Sequence, residues 1–240
     1  MKRTAAVRSA IALLVAGAVL GCSPSEPAQP SAPVISSPVF EVAVPKPAED
    51  TPAARTELAR AHAERGELAQ AEAEYRAALA LDADFASARI GLAQHLHRTQ
   101  RTAEAEALLR EGLAHAPTSG VLFHSLGLLL NELGRATEAA NALIRATQLL
   151  PDDGDKALDA AYVLEGAGRE AEAEQMLVHA TVIAPRSPAV LATVAQHFAD
   201  REQWLRALPC AEQLARLQPA DEEVQAFVAH VRAQAAHSPR

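Results

Sequence analysis

EGLAHAPTSGVLFHSLGLLLNELGRATEAANALIRATQLLP, residues 111–151, runs from one proline phrase to the next and contains one complete structural period. Pro117 and Pro151 stand thirty-four residues apart, and Pro185 and Pro219 continue the series at the same interval. Each closes a similar phrase (GLAHAP, ATQLLP, ATVIAP, LARLQP), and ALALDA ends at Ala83 in the same phase. Proline cannot continue a helix, so a proline recurring in an Ala/Leu-rich chain marks the end of a repeated helical unit.

Counted from residues 52, 86, 120, 154 and 188, the period orders the rest of the chain. The twentieth position is Ala71, Ala105, Ala139, Ala173 and Ala207, and the eighth is Ala59, Ala93, Gly127, Ala161 and Ala195. Leu58, Leu92, Leu126, Ala160 and Val194 occupy the seventh, and Tyr75, Leu109, Leu143, Leu177 and Ala211 the twenty-fourth. Small residues let two helices approach closely while larger ones fill the space between them. Gly66, Gly134 and Gly168 fall at position fifteen, where a left-handed residue ends the first helix. Repeats 2 and 5 have Gln100 and Glu202 there, so their inner turns call for another solution. Pro209 falls inside the second helix of repeat 5 and predicts a mild kink.

This spacing of Leu-Gly, Ala and Pro resembles the tetratricopeptide repeat over residues 52–221. The resemblance implies an all-α, right-handed α-solenoid of five helix-turn-helix repeats, 52–85, 86–119, 120–153, 154–187 and 188–221. One hairpin cannot bury its apolar face alone, so neighbours stack. Val224, Phe227, Val228 and Val231 share one face of 222–236, which predicts a final helix capping the stack. Repeats and cap together occupy the chain from 52 onward and leave no room for a catalytic domain.

The other end reads differently. Met1-Lys2-Arg3 through Arg8 is basic, and Ser9 to Leu20 is apolar or small, a signal-peptide layout too short to span a bilayer. Val19-Leu20-Gly21-Cys22 resembles the bacterial lipobox. That resemblance implies cleavage after residue 21 and lipidation of Cys22, and Ser23 in place of aspartate favours the outer membrane, facing the periplasm. Eight of residues 23–52 are proline, so 22–52 reads as a Pro/Ser/Ala-rich disordered tether. Within it, VISSPVFEVAV, residues 34–44, is β-branched and reads as a sticky linker or a short docking strand. Losing Lys2, Arg3 and Arg8 with the signal leaves 19 basic against 30 acidic residues, a net −11 that argues against nucleic acid or anionic lipid as partner. Cys210 then has no intramolecular disulfide partner and reads as a small buried apolar residue, with a reactive thiol as the alternative.

No Gly-rich phosphate loop, HExxH or zinc-spaced cysteine pair occurs, so neither a cofactor nor a metal nor an enzymatic activity is implied. The family resemblance places groove positions on the first helix of each repeat. In this chain they include Arg60, Gln94, His97, His124, Leu128, Asn131, Leu158, Tyr162 and Gln196. The set lacks the Lys/Asn/Arg clamp that grips C-terminal carboxylates, and Leu128, Leu158 and Tyr162 make an apolar middle between polar ends. His97 and His124 come from adjacent first helices and are a candidate metal or pH-responsive pair, weighed against two isolated surface histidines. The expected function is a lipid-anchored scaffold of the bacterial cell envelope that holds a segment of a partner protein, as in pilus, secretin or outer-membrane assembly. A polysaccharide-binding subunit is the alternative, weakened by a single tryptophan and two tyrosines.

Overall fold

The computed structural model describes residues 50–238. The signal peptide, Cys22 and the segment 34–44 lie outside the described residues, as does most of the tether. Among the described residues the chain forms eleven helices and no strand. They are α1 Pro52–Glu64, α2 Leu68–Leu81, α3 Ala86–Arg98, α4 Thr102–His115, α5 Gly120–Glu132 and α6 Ala136–Leu149, followed by α7 Gly154–Gly166, α8 Glu170–Ile183, α9 Pro188–Asp200, α10 Trp204–Leu217 and α11 Glu222–His237.

Local chemistry sets these limits. Thr51, Asp153, Ser187 and Asp221 cap α1, α7, α9 and α11 by accepting a hydrogen bond from a backbone N–H of the first turn. Pro52 and Pro188 open α1 and α9, where a missing N–H costs nothing. At the other end, Pro117, Pro151, Pro185 and Pro219 each stand two residues beyond the last residue of α4, α6, α8 and α10. Inside each hairpin the first helix ends in a residue with positive φ, followed by an N–H that bonds back five residues. Arg101 N to Leu96 O at 2.8 Å and Arg135 N to Leu130 O at 2.9 Å are examples. The three glycines at this position have φ of 72–76°. Gln100 (φ 66°) and Glu202 (φ 57°) take the same conformation without being glycine. The expectation of a different turn in repeats 2 and 5 is therefore corrected: the turn is kept, and a non-glycine residue holds its left-handed backbone. Helix α10 runs without interruption through Pro209.

The helices pair in sequence. α1 packs on α2, α3 on α4, and so on to α9 on α10, and each second helix also packs on the next first helix, with α11 closing on α10. First helices additionally touch one another (α1 with α3, α3 with α5, α7 with α9), which puts them on the inner side of the stack. The positions singled out by the period form the interior. All five alanines at position twenty are fully buried, and Tyr75, Leu109, Leu143, Leu177 and Ala211 are at most 4% exposed. Burial of this apolar surface, at roughly 25 cal/mol per Å², is the main force holding hairpin to hairpin. In α11, Val228 and Val231 are buried and Val224 and Phe227 half-buried against the last hairpin, so this helix closes the stack as the sequence predicted.

Candidate functional site

Along the inner side, two hollows interrupt the packing of first helices. The first, about 320 Å³, lies between α1, α3 and α5 and is lined by Ile90, Gln94, His97, Ser125, Leu128 and Glu132 among others. Gly91, in the middle of α3, leaves room for the Tyr75 ring beside it. A Cβ there would stand 2.4 Å from Cε1 of Tyr75, whose buried ring crosses from α2 and forms part of the floor. Burial pushes the Tyr75 hydroxyl up from its ordinary pKa, against the pull of the neighbouring Arg60 guanidinium. The second hollow, about 530 Å³ and shallower, lies between α7 and α9 and is lined by Leu158, Tyr162, Glu165, Gln196, His197 and Arg201 among others. Tyr162 is 72% exposed, the most exposed large apolar side chain of the stack.

Of the nine groove residues read from the sequence, six fall in these hollows: Gln94, His97 and Leu128 in the first, Leu158, Tyr162 and Gln196 in the second. Arg60, His124 and Asn131 line neither. Arg60 Nη1 pairs with Glu57 Oε1 at 2.6 Å, an exposed contact on its own helix. Asn131 sits in the last turn of α5, where its backbone carbonyl accepts the Gly134 N–H at 2.9 Å. The apolar middle expected from Leu128, Leu158 and Tyr162 is therefore split between two sites.

Between the hollows stands His124. Its Nε2 lies 2.8 Å from Asp159 Oδ2, bridging α5 to α7. His97 makes the equivalent bridge one repeat earlier, with Nε2 2.7 Å from Glu132 and Nδ1 3.0 Å from Thr102 Oγ1. His197 makes it one repeat later, with Nδ1 2.6 Å from Glu165 Oε1. Each histidine thus answers a carboxylate on a neighbouring first helix, and His97 and His124 do not pair with each other. Among the described residues no group of three or more metal-ligating side chains occurs. His197 is the special member of the series. Its Nε2 is buried without a hydrogen-bond partner among the described residues. Burial lowers its pKa, outweighing the opposite effect of Glu165, and an imidazolium would place a second N–H where no acceptor waits. His95 is likewise buried, beside the Tyr75 ring, and lowered for the same reason.

The outer side carries a pattern that the sequence reading missed. Arg101 holds Glu104 on its own helix and Glu72 of the previous repeat, both at 2.7 Å. Arg135 holds Glu138 at 2.6 Å and Glu106 at 2.7 Å in the same way. Arg169 repeats the first contact with Glu172 and turns to Asn141 for the second. The signal was legible as R-x-x-E at period thirty-four in RTAE, RATE and REAE. Hydrogen bonds from Arg76 and then Arg101 hold the Glu72 carboxyl below its ordinary value. These pairs orient neighbouring repeats; being partly exposed, each contributes little alone. Cys210 is half-buried and burial raises its thiol pKa, which makes it a poor nucleophile.

The family model for the tetratricopeptide repeat matches residues 62–126. Solved structures resemble the fold over most of the chain. YrrB, described as a TPR protein with an unusual peptide-binding site, is 23% identical and superposes with a TM-score of 0.51, covering 75% of this chain and 91% of its own. The pilF protein of Pseudomonas aeruginosa is 21% identical with a TM-score of 0.59 over 77% of this chain and 87% of its own. A thermophilic TPR protein of Thermus thermophilus is 16% identical with a TM-score of 0.54 over 76% and 99%. No curated protein matches the chain in sequence. The family model thus marks residues 62–126 as tetratricopeptide repeat, and the hairpin stack of the described residues has the fold of the tetratricopeptide-repeat structures it resembles.

Proposed function

We propose that this chain is a protein-binding scaffold of the bacterial cell envelope, anchored through lipid on Cys22 and gripping a segment of a partner protein along its first helices. The observation that carries the reading is the pair of hollows on one side of the stack, with Tyr162 left 72% exposed in the second. A large aromatic side chain held in a concave surface marks an anchor point for a partner. The hollows are two first-helix steps apart, roughly 20 Å at 8–10 Å per step. An extended segment of about six residues spans that distance. The lipobox-like end and the proline-rich stretch support the anchor and the reach.

Affinity capture from envelope extract tests this, using the full chain beside a Leu128→Glu/Tyr162→Ala variant. A protein retained by the wild type and lost by the variant supports the groove. Equal retention by both moves the binding surface elsewhere, and capture of nothing removes the reading. Metabolic labelling with a fatty acid, lost on Cys22→Ala, checks the anchor separately.

A further inference from the structure

The first hollow is more specific than an apolar dent. Resting on the groove reading above, we propose that it takes one aromatic side chain of the partner that carries a hydrogen-bond donor, best met by the indole of a tryptophan.

Size comes first. An apolar cavity of about 150 Å³ accepts benzene. This one, about 320 Å³, has room for a fused bicyclic ring and the methylene that joins it to a backbone. Its floor is apolar: Ile90, Leu128 and Leu129 pack against the core, and the Tyr75 ring, admitted by Gly91, supplies an aromatic edge. Offset and edge-to-face contact between rings adds to burial there.

Hydrogen-bond bookkeeping then selects the occupant. His97 has both ring nitrogens engaged, by Thr102 and Glu132, so it stands fixed as a flat wall. Glu132 uses Oε2 for that bond, which leaves the other carboxylate oxygen as an acceptor. Ser125 gives its proton to the Val121 carbonyl at 3.0 Å, so its oxygen too can only accept. Ser125 and Glu132 therefore place two acceptors on one wall above an apolar floor, with the donor-bearing side chains of Gln94 and Arg98 elsewhere on the lining. Leucine or phenylalanine would cover these acceptors with nothing to satisfy them. A lysine or arginine would meet Arg98 at the same rim and leave the floor unfilled. An indole fills the floor and directs its N–H to the acceptors.

The test titrates the full, isotope-labelled chain with N-acetyl-tryptophanamide, N-acetyl-phenylalaninamide and N-acetyl-leucinamide. It follows the Gly91 amide and the Gln94 side-chain amide by NMR, with the Gln196 side-chain amide as the report from the second hollow. Tryptophanamide is expected to shift Gly91 and Gln94 with an affinity about tenfold above that of phenylalaninamide. In Glu132→Gln that preference shrinks while binding of phenylalaninamide is retained, a change that a general loss of fold would not produce. In Ser125→Phe, which fills the hollow from its wall, the shifts at Gly91 and Gln94 vanish with every amide. Equal affinities for tryptophan and leucine amides overturn the inference, and so does the absence of shifts at Gly91 and Gln94. Capture of a partner by the wild type and its loss in Leu128→Glu/Tyr162→Ala, with no aromatic amide bound, would leave the groove standing and refute the anchor. Amide binding without any captured partner would do the reverse.

Discussion

Gln100 and Glu202 hold left-handed conformations, at φ 66° and 57°, that cost an L-residue about 1–2 kcal/mol. Both are exposed, and glycines at the three equivalent positions have nothing within 4 Å of a built Cβ, so the cost is conformational and not steric. Gln100→Gly and Glu202→Gly should each stabilise the protein by about 0.5–1 kcal/mol after the greater flexibility of unfolded glycine is subtracted. Gly134→Ala should destabilise by about 1 kcal/mol. Denaturant titration checks all three, and a loss of stability in Gln100→Gly would show that the glutamine side chain does something its φ does not reveal. His197 yields a second prediction. Its folded pKa lies below the ordinary 6.5, so the unfolded chain binds the proton more readily, and stability falls as pH drops through about 6.5. The groups facing it are Glu165 and Glu174, which oppose this, and Arg201 and Arg206, which reinforce it. The stability advantage of wild type over His197→Gln should therefore be smaller at pH 5.5 than at pH 7.5. An advantage that grows on acidification would mean that the Glu165 carboxylate, not burial, governs the ring.

At the scale of the helix, glycine and its large neighbour form a unit. In α4, Gly112 makes room for Arg89, which is only 3% exposed and donates to the carbonyls of Leu108 at 3.1 Å and Ala83 at 2.6 Å. A Cβ on residue 112 would lie 2.3 Å from Arg89 Cδ, and the guanidinium, tied at both carbonyls, cannot withdraw. Gly112→Ala should thus cost about 1–3 kcal/mol. Gly166→Ala, at the end of α7 with nothing within 4 Å, should be neutral or stabilising by up to about 1 kcal/mol. Thermal melts of the two variants side by side separate packing from propensity. Such units explain what could be read from the chain and what could not. Small residues at positions eight and twenty, and large ones at seven and twenty-four, repeat because every hairpin makes the same contact. Gly91 with Tyr75 and Gly112 with Arg89 occur once each. They depend on the reach of one long side chain across a helix pair, which a period does not encode. The groove residues show the same limit. A position on a helix fixes which way a residue faces, so six of nine reached the hollows. It does not show that His124 meets Asp159 or Arg60 meets Glu57, because those bonds depend on partners one turn or one repeat away.

For the whole described stack, contacts run only between neighbours, and the buried apolar residues form two clusters that meet in repeat 4. One gathers residues from Ala59 to Ala173, the other from Ala157 to Val231. Stability in such an array is approximately a sum of repeat and interface terms, so its ends can open without its middle. The second cluster is closed by α11, in which Val231 is fully buried and Val228 is 2% exposed. Val231→Asp would place a carboxylate in that apolar seam without a partner, a change that costs several kcal/mol. If the stack behaves as a linear array, amide hydrogen exchange in α9, α10 and α11 should accelerate by orders of magnitude while α3 to α6 keep their protection. The first hollow, built from α1, α3 and α5, should then keep its binding when the second, built from α7 and α9, is lost. If instead exchange rises equally from α1 to α11, the two clusters unfold as one body, and the hollows cannot act as separable halves of a single groove.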